Sequence, residues 1–410
     1  NYENYVNNNN SNDNILSKLS KFSSRELSQD ESFQIEAKIR SRQSKRLLGL
    51  ENDIVGSYGA PMKITLDELL EQVKNEKYTD ETFPLSQMLT GYSRNINLQL
   101  ERVSSICPHI TKQVNIQGFP LNYVPKALDA AQGELGDCYL ISALSAITEH
   151  KEIRDSLLLK ANPNNSLYVV KLYCGGKSVL VPVDDTFPYT GEDFAFAGRG
   201  HLSDISHHLW AMLIEKAYAK LHGSYTAIEG GRIAEALADL TGGIPGRIDS
   251  LTTNLEEKWQ QIKSMGNSNY ILGATSAEGV DTHVDEYGIV RGHAYSILRV
   301  VEIDSFKLLC LRNPWGQVEW NGRWSDNSRE WTPRYRKLLN HENSNDDGLF
   351  WISFEDFCQH YRTIDYCRLV NLPGWSLHYF ESSWLPFEGG RISLTNTFLL
   401  NPQFILTSKS

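Results

Sequence analysis

Leu140, Ile141, Leu144 and Ile147 recur at the spacing that lines one face of a helix. This stripe starts straight after a glycine-punctuated turn, Gln132-Gly133-Glu134-Leu135-Gly136-Asp137-Cys138, and predicts a helix over residues 138 to about 150. Residues 64–73 carry another helical pattern, with Thr65 placed as N-cap and Asp67 and Glu68 in the first turn. Residues 166–173 and 177–183 read as two strands around Cys174-Gly175-Gly176, a hairpin. Residues 210–220 stay apolar on both sides of the helical stripe, so that helix is expected to be buried. Glu229-Gly230-Gly231-Arg232 then marks a hinge or a close backbone approach. Two short helices are expected at 233–240 and 255–265, followed by strands at 270–274, 294–302, 306–311 and 349–353. A helix-rich half followed by a strand-rich half is an α+β pattern, with a cleft between two lobes.

The first part of the chain reads differently. Residues 1–14 are dominated by asparagine and hold few apolar side chains, the composition of a disordered segment. Residues 31–50 form a basic amphipathic pattern with Lys38, Arg40, Arg42, Lys45 and Arg46, either a solvated helix or a docking element for an acidic partner. Residues 51–105 carry no functional reading. From about Gly118 the texture is that of a loop, with Pro120 and Pro125.

Composition narrows the class. The 410 residues are 40% hydrophobic and 10% aromatic, enough for a sizeable core. A formal net charge of -10 excludes the basic field of a nucleic-acid binder. No apolar run is long enough to span a bilayer, and the start lacks a secretory signal. No initiator Met opens the chain, so it reads as a fragment or a processed form. Six scattered cysteines without a CxxC pair fit reduced thiols and a cytoplasmic location.

Candidate chemistry gathers at three places. Cys138 sits in the first helical turn, where unpaired N–H groups and the helix dipole favour a thiolate. Gln132, upstream on the same loop, can donate to an oxyanion together with the Cys138 N–H. His293 starts one predicted strand and Asn313 ends the next, with their midpoint at Ile303 beside Asp304-Ser305. A hairpin there brings His293 and Asn313 across from each other, so that Asn313 can hold the imidazole tautomer.

These residues resemble the calpain family of calcium-dependent cysteine proteases. Gln132-Gly133-x-Leu135-Gly136-Asp137-Cys138 is similar to the family's nucleophile loop, and Gly292-His293-Ala294-Tyr295-Ser296 to its histidine motif. Arg312-Asn313-Pro314-Trp315-Gly316-x-Val318-Glu319-Trp320-x-Gly322-x-Trp324-Ser325-Asp326 is similar to its asparagine motif. The stretch from Leu213 to Lys220 and Thr241-Gly242-Gly243 resemble further family segments. The likeness covers roughly residues 118–370. It continues weakly through Gly389-Gly390 and Asn401-Pro402-Gln403-Phe404.

The resemblance implies a papain-like cysteine protease fold, split into a helical Cys lobe over 111–230 and a β-rich His/Asn lobe over 231–370. Residues 1–110 would be an N-terminal extension, and 371–410 the start of a truncated β-sandwich domain with no EF-hand module after it. It implies a Cys138-His293-Asn313 triad with Gln132 as oxyanion donor. Gly230 and Gly292 would be backbone contacts for substrate, and Trp315 a gate between the lobes. It implies Ca2+ at Glu319, Asp326 and Asp347 in the second lobe and at Asp129 in the first. Leu349 and His208 stand where the family has Glu, which weakens both sites. Protein substrates and a calpastatin-like inhibitor are the implied partners. Two other readings compete: a catalytically silent, calcium-responsive scaffold on the same fold, and a transglutaminase-like acyl transferase, against which Asn313 speaks.

Overall fold

The apolar stripe after the glycine turn folds as its spacing predicts. In the computed structural model Cys138–Ile147 is an α-helix, and every residue after Cys138 in it is buried. The structure describes residues 53–94, 96–107, 124–198, 205–249, 253–341 and 347–370, all within one unit spanning Glu51–Leu377. The asparagine-rich start, the basic 31–50 pattern and the expected β-sandwich start at 371–410 lie outside the described residues.

The strands, in chain order, are β1 (Asp53–Ile54), β2 (Gln99–Arg102), β3 (Leu158–Asn162), β4 (Leu167–Cys174), β5 (Lys177–Val183), β6 (Thr186–Tyr189), β7 (Ile244–Ile248), β8 (Tyr270–Ser276), β9 (Ala294–Ile303), β10 (Phe306–Arg312), β11 (Leu349–Ser353) and β12 (Tyr361–Arg368). They make a four-stranded sheet in the order β1-β5-β4-β3, a six-stranded sheet β11-β10-β9-β8-β12-β7, and the pair β2-β6. The six-stranded sheet is antiparallel throughout. The α+β expectation holds.

Local chemistry explains the boundaries. The helix Leu66–Gln72 is opened by Thr65, which forms a capping box with Glu68. The β4–β5 hairpin turns at Gly175 and Gly176, both at positive φ. The helix Ile205–His222 carries the buried run expected at 210–220. Ile233–Thr241 ends at Gly242 in the left-handed region, the usual helix stop.

Residues 53–94 and 96–107, which carry no functional reading in the sequence, are built into the fold. β1 runs parallel to β5. Asp80 and Lys220 form a fully buried ion pair, with Lys220 Nζ 2.9 and 2.7 Å from the two carboxylate oxygens. Lys216 pairs in the same way with Asp184 and also reaches Thr186 O at 2.6 Å. One apolar cluster spans the Cys138 helix, β4, β5 and Ile205–His222, and a second fills one face of the six-stranded sheet. All six cysteines are free thiols. Among the described residues no helix is long and apolar enough to cross a membrane.

Asp80→Ala strands the Lys220 ammonium in the core. It should cost about 3–5 kcal/mol in chemical denaturation, because an unpaired buried charge is far dearer than a lost surface pair. Adding Lys220→Met should restore most of the loss.

Candidate active site

The Gln132–Cys138 loop is clamped by backbone hydrogen bonds on three sides. Glu134 N–H donates to Ala195 O at 2.8 Å and Gly198 N–H to Ala131 O at 2.9 Å. Gln132 N–H donates to Pro314 O at 2.9 Å, and Gly230 N–H to Gly136 O at 2.8 Å. Gly133 is required: a Cβ there would lie 2.0 Å from Phe196 O. Cys138 follows as the first helical residue, with Asp137 at the N-cap making no side-chain cap.

The expected thiolate is not the resting form. Burial pushes the Cys138 thiol up to about 11, and the negative charges of Asp137 and Asp281 push the same way. The N–H groups of Ala294 and Tyr139 favour the thiolate but are outweighed. The helix start does supply donors, but Cys138 is half-buried and its desolvation outweighs them.

His293 and Asn313 meet, though not as strand partners. The β9–β10 hairpin turns at Asp304-Ser305, pairing Phe306 with Ile303, and shifts register between Cys310 and Leu311. Arg312 therefore lies opposite Ser296, and the Asn313 side chain reaches obliquely to His293. Asn313 Oδ1 lies 2.9 Å from His293 Nε2 and accepts the Trp315 N–H at 3.1 Å. Its Nδ2 donates to Gln317 O and Val318 O, both at 2.9 Å. A flipped amide would break all of these bonds, so Oδ1 faces the imidazole. Nε2 must then carry the hydrogen, and Nδ1 keeps its lone pair. Nδ1 is buried with no hydrogen-bond partner. Burial pulls the imidazole down to about 4, against the Asn313 bond and the Asp281 charge, so it rests neutral. The Ala294 N–H, on the residue after His293, is placed to favour the Cys138 thiolate.

The other expected residues fall as follows. Gln132 Nε2 donates one hydrogen to Leu135 O at 2.7 Å, which holds the side chain on its loop and leaves the second amide hydrogen. Gly230 has φ +70° with open space where a Cβ would be. Its neighbour Gly231 packs on the Tyr139 ring, so the close approach lies one residue along. Gly292, at φ +59°, lies against Gly279 and lines a cleft of about 730 Å³ with Ser276, Arg247 and Tyr361. The Trp315 ring stands 4.9 Å from the His293 ring.

The acids are partly gathered. Glu319 Oε1 accepts the N–H groups of Asp347 at 2.9 Å and Gly348 at 2.7 Å. Burial, then the charges of Asp326 and Asp347, push the Glu319 carboxyl up to about 7. Asp129 sits elsewhere: its carboxylate accepts the Lys126 N–H, and its carbonyl is bonded by His208 Nδ1 at 2.7 Å. Among the described residues no three acidic, His or Cys side chains converge to hold a metal ion.

Two contributors escaped the sequence. Ser276 Oγ accepts the His293 N–H at 3.0 Å, and Ser276 N–H returns to His293 O at 3.0 Å, which pins the histidine backbone. The Arg312 guanidinium, without exposure to water, donates to Ala130 O at 2.7 Å, Ser145 Oγ at 2.8 Å and Leu128 O at 3.2 Å. No spacing signals either, because most partners are backbone atoms distant in the chain.

Residues 78–368 match the model of the calpain family cysteine protease domain. The chain is 37% identical over 342 residues to the calpain-type cysteine protease ADL1 of Oryza sativa subsp. japonica, covering 80% of this chain and 16% of that protein. It is 32% identical over 405 residues to Calpain-A of Drosophila melanogaster, covering 90% and 47%. It is 30% identical over 395 residues to the Calpain-2 catalytic subunit of Homo sapiens, covering 86% and 53%. The chain thus spans roughly half or less of each of these relatives.

With the thiol near 11 and the imidazole near 4, the resting pair is neutral across the physiological range. Alkylation of Cys138 by iodoacetamide, followed by peptide mass, should be slow between about pH 6 and 8 and climb through about pH 10. A rate already at its plateau near pH 6 would mean that the ion pair is preformed.

Proposed function

The chain belongs to the calpain family of cysteine proteases, and from that premise we propose that it is a calcium-dependent cysteine endopeptidase making limited cuts in protein substrates. The observation that carries the reading is the fixed tautomer of His293, whose unprotonated Nδ1 is left without a partner one residue from the Ala294 N–H that favours the Cys138 thiolate.

The chemistry follows from the groups present. The Cys138 Sγ–H proton passes to His293 Nδ1, and the sulfur attacks the peptide carbonyl carbon. The developing oxyanion is met by the Cys138 N–H and by the remaining amide hydrogen of Gln132. Collapse breaks the C–N bond, and the leaving amine takes the proton from Nδ1. Water then gives a proton to His293 and cleaves the thioester. Asn313 keeps the ring oriented, and Trp315 covers one of its faces. Burial raises the thiol and lowers the imidazole, so proton transfer between them is uphill in the resting geometry. It becomes competent when Sγ and Nδ1 close and each charge offsets the other's desolvation.

Calcium is the finer part of the proposal. The donor set of the second loop suits it in one respect: like charges raise Glu319, and a divalent cation relieves that repulsion. Glu319, Asp326 and Asp347 would hold it, and its contribution would be charge neutralisation at that loop. The first loop does not suit it, since Asp129 is committed to Lys126 and His208.

Hydrolysis of an unstructured protein should rise with added calcium and fall about a thousandfold or more in Cys138→Ser. Cys138-dependent cleavage that ignores calcium would remove the gate and keep the protease. No cleavage by folded protein at any calcium level would favour the scaffold reading. Glu319→Gln should shift the calcium midpoint upward; an unmoved midpoint would take Glu319 out of the ligand set.

A further inference from the structure

Residues 85–94 have no part in the chemistry above, yet they dock beside the Gln132–Cys138 loop. The segment opens as the short helix Leu85–Met88. It is tied to the stretch that leads to Gly230. Gln87 Nε2 donates to Gly223 O at 3.2 Å, the Tyr225 N–H donates to Met88 O at 3.0 Å, and Thr226 Oγ1 donates to Thr90 O. The Tyr92 ring then stands edge-on, 5.7 Å from the ring of Phe196, the residue after the Ala195 carbonyl that holds the Glu134 N–H. The segment therefore grips both neighbours of the loop before it meets the loop itself.

Arg94 makes that last contact. Its Nη1 donates to the Glu134 carbonyl and lies 3.2 Å from Glu134 Oε2. Its Nη2 lies 3.7 Å from Glu229 Oε1, on the residue before Gly230. One planar guanidinium thus joins the loop to the Gly230 segment, a second tie beside the backbone bond from Gly230 N–H to Gly136 O. The Arg94 side chain is 43% exposed, so its ion pairs by themselves hold little. The bond to the Glu134 carbonyl matters more, because of where it falls. That oxygen belongs to the peptide leading into Leu135, and the next carbonyl, Leu135 O, holds Gln132 Nε2 at 2.7 Å. Fixing the Glu134–Leu135 peptide limits where Leu135 O points, and with it where the Gln132 amide stands.

We propose that Arg94 is a positioning residue for the oxyanion loop, locking the Glu134–Leu135 peptide to Glu229 so that Gln132 and the Gly230 segment keep one register. The inference rests on the reading of Cys138 as nucleophile and Gln132 as oxyanion donor. It makes residues 85–94 part of the working site.

The first test is amide hydrogen exchange in Cys138→Ala protein, read at Gly230. Arg94→Met keeps the length of the stem and removes every donor, whereas Arg94→Lys keeps the charge and loses the fork. Arg94→Met should speed Gly230 exchange about fivefold, with Arg94→Lys between it and the parent and with the Ile205–His222 helix unchanged. Unchanged exchange at Gly230, or an equal rise in that helix, overturns the brace. With Cys138 present, Arg94→Met should lower kcat on an unstructured protein about fivefold and move KM less than about twofold, since the oxyanion forms only on the way to the transition state. An unchanged kcat overturns the link to Gln132. Exchange needs no turnover, so a chain that cleaves nothing refutes the protease reading while Gly230 still decides the brace.

Discussion

The Arg312 guanidinium is buried completely and donates to neutral oxygens of Leu128, Ala130 and Ser145. It stands at the end of β10, immediately before Asn313, so the partners that satisfy it also set where Asn313 begins. The next carbonyl, Pro314 O, takes the Gln132 N–H. On the neighbouring strand Ser296 Oγ donates to Ser142 O, in the Cys138 helix, at 2.8 Å. These ties register the sheet that carries His293 and Asn313 against the helix that carries Cys138. The guanidinium is the most demanding of them. Burial pulls it down to about 10, with Asp347 and Asp129 working in the opposite sense. A buried cation facing neutral acceptors depends on such distant charges, so neutralising either acid removes part of its support.

The same burial that orders the site also acts on its two titratable groups. Asn313 can fix the imidazole because water does not compete for its four hydrogen bonds. Yet desolvation pushes the Cys138 thiol up and the His293 imidazole down, so both neutral forms are favoured. Tautomer control and nucleophile activation therefore make opposite demands on one environment. The conflict is resolved only if the charged forms are created together, each as the other's counter-ion.

Much of the fold was legible because period and punctuation agreed. The Cys138 helix, the β4–β5 hairpin and the strands carrying His293 and Asn313 all combine apolar spacing with Gly, Asp or Asn at their ends. The His293–Asn313 pairing was reached from a simple hairpin, although a register shift displaces the residues from strict opposition. The side-chain bond survives because an amide can reach across the offset. β12 was missed: its strand Tyr361–Arg368 contains Arg362, Thr363 and Asp365 and lacks a clean alternation, yet it lies between β8 and β7. Asp365 is buried there because Arg247 on β7 and Thr275 on β8 bond it. Such satisfaction by neighbours distant in the chain has no local signature. The Cys138 thiol shows the same limit: a helix start is a local feature that favours a thiolate, whereas the desolvation that opposes it is not local.

The Ile205–His222 helix shows what hydropathy alone leaves out. Its apolar residues mark it as buried, but its charges are buried as well. Glu215 reaches Ala197, Lys216 reaches Asp184, and Lys220 reaches Asp80. These three side chains secure the nucleophile loop, the turn after β5 and the segment around Asp80. Each reaches a different part of the chain, so the helix works as a hub whose specificity comes from polar side chains. Apolar packing would hold the same segments with more freedom to slide. A buried charge admits few positions, because leaving its partner costs several kcal/mol. The loop that ends at Cys138 is thus held from behind by polar groups of this helix.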